Sequence, residues 1–152
     1  MSLVVGVNSY ITRSEANTLL ADHPGLTEWT ALSDTEKDVY LIEACMEIDT
    51  LPYSGTRSNS DQSLSWPRDF STEADYTPDN LKIAQAEQAL HLARNWEKIQ
   101  YRIDMDDMNI TDFGVGDVTE KRMRVRGMIC RRALQRLASY IHNYGVIEVL
   151  RT

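Results

Sequence analysis

The sequence predicts a mainly α-helical fold: a small bundle of about four helices with a long central loop, an extended acidic arm and a C-terminal strand or docking tail. Three observations carry that prediction. Apolar residues recur at steps of three and four over long stretches, two capping boxes stand at the heads of such stretches, and Thr77-Pro78 is a helix-opening dipeptide. At 152 residues, 42% hydrophobic and 26% charged, the chain suits one domain with one core and needs neither a disulfide nor a metal to fold. Its parts would be a helical core over 1–103, an arm over 104–122, a last helix over 123–144 and a tail over 145–152.

The opening Val4–Ile11 stretch is short and β-branched and stops at Thr12-Arg13-Ser14-Glu15, the first capping box. A short helix follows, burying Ala16, Leu19 and Leu20, and His23-Pro24-Gly25 ends it. Leu26 and Trp29 then lie in a connector. Ser33-Asp34-Thr35-Glu36 is the second capping box, and Tyr40, Leu41, Ala44, Cys45, Ile48 and Leu51 mark the buried face of a helix closed by Pro52. Residues 53–77 show no usable period, and loops of this length tend to be functional. From Thr77-Pro78 an alanine-rich helix is expected to run to about Tyr101. Asp104, Asp106, Asp107, Asp112 and Asp117 then read as an acidic arm. A last helix from Val125 to Asn143 would bury Ile129, Cys130, Ala133, Leu134, Leu137 and Ile141 and show Arg131, Arg132 and Arg136 outward.

The net charge of -7 hides a division: residues 1–119 carry -13 and residues 120–152 carry +6. The total argues against general nucleic-acid coating, which rests on Lys and Arg, and the division suggests a partner, possible copies of the chain included. No apolar run reaches the roughly 18 residues a membrane span needs, and the Met1–Gly6 opening lacks a basic leader, so no membrane partner and no secretion are expected. Phosphate-loop, dinucleotide and zinc-protease signatures are absent. His23, His91 and His142 lie apart, Cys45 and Cys130 read as buried reduced thiols, and the Asp104–Asn109 run lacks the glycine and closing glutamate of a calcium loop. No cofactor, metal or catalytic residue is therefore expected. Tyr53, Trp66, Phe70 and Tyr76 flank Gly55, Arg57, Gln62 and Arg68, a composition that fits stacking on single-stranded bases, contact with another protein, or packing of the loop onto the helices.

Several strings carry a resemblance. They are Tyr10-x-Thr12-x-x-Glu15-Ala16, a Trp29 connector, a helix ending Ile48-Asp49, Tyr53-x-Gly55-x-Arg57, and Gln62-x-Leu64-x-Trp66-Pro67-Arg68. Gly114-x-Gly116-Asp117-Val118 and Val146-Ile147-x-Val149-x-Arg151 continue it. Together they resemble the small head–tail connector or adaptor proteins of tailed bacteriophages, some of which are labelled DnaT-like single-stranded-DNA-binding proteins. The resemblance implies a virion protein made in the host cytoplasm. It would assemble as a ring, typically of twelve copies, below the portal, extend the channel through which double-stranded DNA passes, and offer a platform to a tail or tail-completion protein.

On that reading Tyr53, Gly55, Arg57, Gln62, Leu64, Trp66, Pro67 and Arg68 form a conformation-fixing motif at or near the subunit interface. Arg124, Arg131, Arg132, Arg136, Val146, Ile147, Val149, Leu150 and Arg151 would dock the portal or a neighbouring copy. The chain is then a structural adaptor and not an enzyme. The alternative is a single-stranded-DNA-binding module that stacks bases on Trp66 and Tyr53 and tracks the backbone with the last helix. A third reading, a hydrolase using the Asp104–Asp117 cluster, would require a divalent cation.

Overall fold

The computed structural model describes residues 1–69, 76–108 and 129–142, together with the backbone pairing of 112–115 and 118–121. Its elements are α1 (Arg13–Leu19), α2 (Leu26–Thr30), α3 (Asp34–Asp49), β1 (Thr56–Arg57), β2 (Arg68–Asp69), α4 (Asp79–Asp107), β3 (Asp112–Val115), β4 (Val118–Lys121) and α5 (Arg131–Leu137), with a 3-10 turn at Ala138–Tyr140. β1 pairs antiparallel with β2, and β3 with β4. The fold is mainly helical, as the periodicity predicts.

Both capping boxes form. Thr12 Oγ1 accepts from the Glu15 N–H at 3.1 Å while Glu15 accepts from the Thr12 N–H at 2.7 Å. Ser33 and Glu36 repeat the exchange at 3.3 and 2.8 Å. Each box holds its glutamate carboxyl below the usual range, because the ionised form accepts the bonds.

Four expectations are corrected. The Leu26–Trp29 connector is helix α2, whose Trp29 is fully buried with its indole N–H donating to Asn17 Oδ1 at 2.8 Å. Pro78 occupies the N-cap instead of the first helical position, so α4 begins one residue later than expected. α4 also runs past Tyr101 to Asp107, which puts Asp104, Asp106 and Asp107 in its last turns and not in an arm. Carboxylates at a helix C-terminus oppose the macrodipole, which is why the sequence suggests an earlier end. Burial of Met105 and a Gln100-to-Asp104 side-chain bond of 2.8 Å accompany the continuation. Finally, α5 starts at Arg131: Cys130 is extended, and its Sγ accepts from the Ala133 N–H. Asp112 lies in β3 opposite Lys121, while Asp117 and Arg124 fall outside the described residues.

Helix α4 joins two packed clusters. Leu81 and Ala84 meet Cys45, Ile48, Tyr53, Trp66 and the apolar face of α5, namely Ala133, Leu134 and Leu137. Ala86, Ala89, Leu90 and Leu92 meet Ile11, Ala16, Leu20, Trp29, Leu41 and Ala44. Small alanines on both long helices let their backbones come close.

Between the clusters Gln85 is fully buried and uses its amide completely. It accepts from the Tyr10 N–H at 2.9 Å and donates to Ser9 Oγ at 2.7 Å and the Leu41 carbonyl at 2.8 Å. Three residues on, Gln88 accepts from the Cys130 N–H at 2.8 Å and donates to Glu47, so one side chain ties α3, α4 and the head of α5 together.

Burial pushes the Glu47 carboxyl up to about 7; the Gln88 bond offsets this in part and the neighbouring Glu43 charge adds to it. Glu47 Oε1 is a buried oxygen without a hydrogen-bond partner among the described residues, which fits a carboxyl that holds its proton. Between the ordinary carboxylate value and about 7 the folded chain therefore binds a proton that the unfolded chain has lost, and stability falls as pH rises through that window. The expected loss, after allowance for partial exposure, is about 2 kcal/mol. Glu47→Gln should flatten a plot of melting temperature against pH between about 5 and 8. An unchanged slope would assign the pH dependence to other groups.

Candidate nucleic-acid interface

The loop motif folds inward. Tyr53, Leu64 and Trp66 are all buried, with Trp66 only 2% exposed. The Trp66 indole meets the rings of Tyr53, Tyr76 and Tyr140 edge-on, at centroid distances of 5.4, 6.5 and 5.8 Å. The Trp66 backbone N–H donates to Tyr10 Oη at 3.3 Å. Tyr10 donates in turn to Asp49, which also accepts from the Ser65 N–H at 2.8 Å. The Trp66–Pro67 peptide is cis.

Gly55 sits at φ +78°, in the left-handed region that favours glycine, and turns the chain just before β1. Arg68 reaches the carbonyls of Ser54 at 3.0 Å and of Ser65 and Tyr53 at 3.3 Å, and that of Gly55. Gln62 donates to the Leu64 and Pro67 carbonyls at 2.7 and 3.0 Å, whereas Arg57 is exposed. The string is thus an internal clasp. Stacking of bases on Trp66 and Tyr53 is corrected accordingly, because neither ring presents a face to solvent.

A different group of residues is exposed and cationic. Where α4, the 23–25 turn and the head of α5 meet, a cleft of about 270 Å³ is lined by His23, Glu87, Leu90, His91, Arg94, Asn95, Cys130, Arg131 and Arg132. Gly25 approaches α4 so closely that a Cβ there would lie 2.8 Å from Leu90 Cδ2 and 3.2 Å from an Arg94 nitrogen. The Gly25 N–H donates to His23 Nδ1 at 2.8 Å, which leaves the ring proton on Nε2, 3.0 Å from Glu87 Oε2. A donating Nε2 has no lone pair for Arg132, so the guanidinium finds its ionic partner in Glu87, with Nε 3.5 Å from Oε2.

Arg94 pairs with Glu28 at 3.2 Å outside the cleft lining, and partial burial, with the Arg94 charge adding to it, holds the His91 imidazole below its usual value. Arg131 has no ionic partner among the described residues, and Arg136 lies one turn along from Arg132 on the exposed side of α5. The lining holds three arginines against one carboxylate. Arg94 and Arg132 are ion-paired, with Glu28 and Glu87, so Arg131 is the cation of the lining left unpaired among the described residues.

A family model described as "Putative DnaT-like ssDNA binding protein" matches residues 2–143. The chain belongs to this DnaT-like family. No curated protein and no solved structure matches it. The family description speaks of single-stranded DNA and not of a head–tail role.

Of the basic residues expected to dock a partner in this DnaT-like chain, the structure places Arg131, Arg132 and Arg136 together on α5. Val146, Ile147, Val149, Leu150 and Arg151 lie outside the described residues. His23, Glu87 and Arg94 are absent from the sequence expectation. The signal for the last two was a polar stripe, Glu87, His91 and Arg94, at steps of four and three on an otherwise alanine-rich helix.

Of the two thiols expected to be buried, Cys45 is, whereas Cys130 is only half-buried and lines the cleft. Burial pushes Cys45 up to about 12, with the Asp49 charge adding to it, and burial raises Cys130 as well. Among the described residues no group of three or more His, Cys, Asp or Glu side chains is placed to hold a metal ion, and no helix is long and apolar enough to cross a membrane.

Proposed function

We propose that the chain binds single-stranded DNA through the arginine face of α5 and the cleft beside it. The observation that carries this reading is the concentration of Arg94, Arg131 and Arg132 around one open cleft, with Arg136 one turn farther along the exposed side of α5, on an acidic domain, and the DnaT-like family membership supports it. Guanidinium groups fork onto phosphate oxygens, and the clustered charge follows a flexible backbone without reading its sequence. The internal clasp sets the angle at which α5 is presented. It takes no part in contacting bases.

Fluorescence anisotropy of a labelled oligothymidylate tests the reading. Binding should weaken steeply with salt, and Arg131→Ala with Arg136→Ala should reduce the salt slope by about 1.4, the value for two phosphate contacts on a single strand. Trp66→Phe should leave the affinity unchanged while the protein stays folded. Absence of binding at low salt would overturn the reading.

A second reading is favoured by the charge division of -13 and +6 and by the clasp strings: a head–tail adaptor, arranged as a ring between a phage portal and a tail, in the virion. An oriented interface between unlike charges suits such an assembly. Imaging the protein mixed with a purified portal tests it. A ring coaxial with the portal would support it, and a monomer without affinity for the portal would remove it.

A further inference from the structure

On the side of α3 turned away from the core lies a second hollow, about 350 Å³, lined by Thr35, Glu36, Val39, Tyr40, Glu43 and, from α4, Trp96. Its floor is apolar and open. Val39 is 55% exposed and Trp96 37%, and Trp96 meets Tyr40 edge-on at 6.5 Å. Met46, 59% exposed, extends the apolar stripe one turn pair farther along α3. Its rim is acidic: neither Glu36 nor Glu43 has a cationic partner within ion-pair distance among the described residues. A surface of this kind asks for an apolar segment that carries a cation.

We propose that this groove receives the C-terminal segment Val146–Arg151 of a second copy of the chain. The segment has four aliphatic side chains, Val146, Ile147, Val149 and Leu150, with Glu148 among them and Arg151 after them; side chains of an extended segment alternate, so Ile147, Val149 and Arg151 would share the face toward the groove and Glu148 the face away from it. Six extended residues span about 20 Å, and the stripe from Thr35 to Met46 is about 17 Å long. Arg151 then meets Glu36 or Glu43, and the aliphatic groups cover Val39 and the Trp96 edge.

The donor is a neighbour because of where the segment leaves its own body. The His142 N–H is bound to the Pro52 carbonyl at 2.8 Å, beyond the C-terminal end of α3, on the side where Cys45 and Ile48 pack against α5. The groove lies near the other end of α3 and on its opposite face. A tail of one copy in the groove of the next is a heterologous contact, which propagates into a ring or a filament. This contact does not depend on DNA binding.

Sedimentation velocity of the full chain over a concentration series tests the contact. Self-association is expected in the micromolar range typical of short-segment docking, about 1–100 μM. Val39→Asp, Glu43→Arg and removal of residues 144–152 should each weaken it about tenfold or more, and Arg151→Glu should restore association to the Glu43→Arg protein. Circular dichroism confirms that each variant stays folded; Val39 is exposed and Glu43 half-buried, so neither substitution opens the core. A chain that remains monomeric throughout the series, or association indifferent to Val39→Asp and to the truncation, overturns the proposal. So does a monomer whose Trp96 fluorescence shifts on truncation, because the tail would then occupy its own groove.

Discussion

Trp66→Ala is expected to lower folding stability by about 3–5 kcal/mol, the range for removing a large aromatic from a packed interior. The indole is almost wholly enclosed and is shared by the 53–69 loop, Tyr76 and Tyr140 beside α5, so its removal leaves a cavity at the junction of three segments. Chemical denaturation followed by circular dichroism measures the loss. Trp66→Phe keeps an edge-on aromatic contact and should lose about 1–2 kcal/mol. A loss below about 1 kcal/mol on Trp66→Ala would mean that the loop is not part of the cooperative unit. Any fall in DNA affinity should track the unfolded fraction, which separates a packing role from base stacking.

Arg68→Ala is expected to cost about 3 kcal/mol. Its guanidinium serves four carbonyls that converge on the loop interior, those of Tyr53, Ser54, Gly55 and Ser65, and charge-assisted bonds of this kind contribute about 1.5–3 kcal/mol each where water cannot replace them. Partial exposure lets water recover some of that sum. Arg68→Lys should rescue little, since an ammonium is a compact charge and cannot span the four acceptors as a planar fork does. Equal stability of the Lys and Arg proteins would show that charge alone matters.

The legible parts of the fold were those decided by neighbours in sequence. Ser33 with Glu36 and Thr12 with Glu15 are spaced for reciprocal capping, and α1 and α3 begin where the spacing says. What Trp66 does was not, because a loop aromatic beside arginines has the same composition whether it faces a base or a tyrosine ring. Burial decides between the two, and it arises from α5, some 65–75 positions away in sequence.

The cleft shows the same limit. His23, Glu87 and Arg132 meet only because the 23–25 turn lies on α4, and no local pattern links three such distant positions. The acidic end of α4 misleads in the other direction. Its carboxylates disfavour a helix locally, and tertiary burial of Met105 outweighs them.

Gln85 has a mechanical consequence for how the molecule can respond to a ligand. Sliding α3 past α4 by one turn, about 5.4 Å, would break its bond to the Leu41 carbonyl, the one of the three that lands on α3, and leave a buried amide hydrogen unpaired. The two long helices are thereby denied the ratchet motion open to an all-aliphatic pair, and they travel as one body. Any rearrangement on binding has to occur outside that frame, in the elements packed onto it.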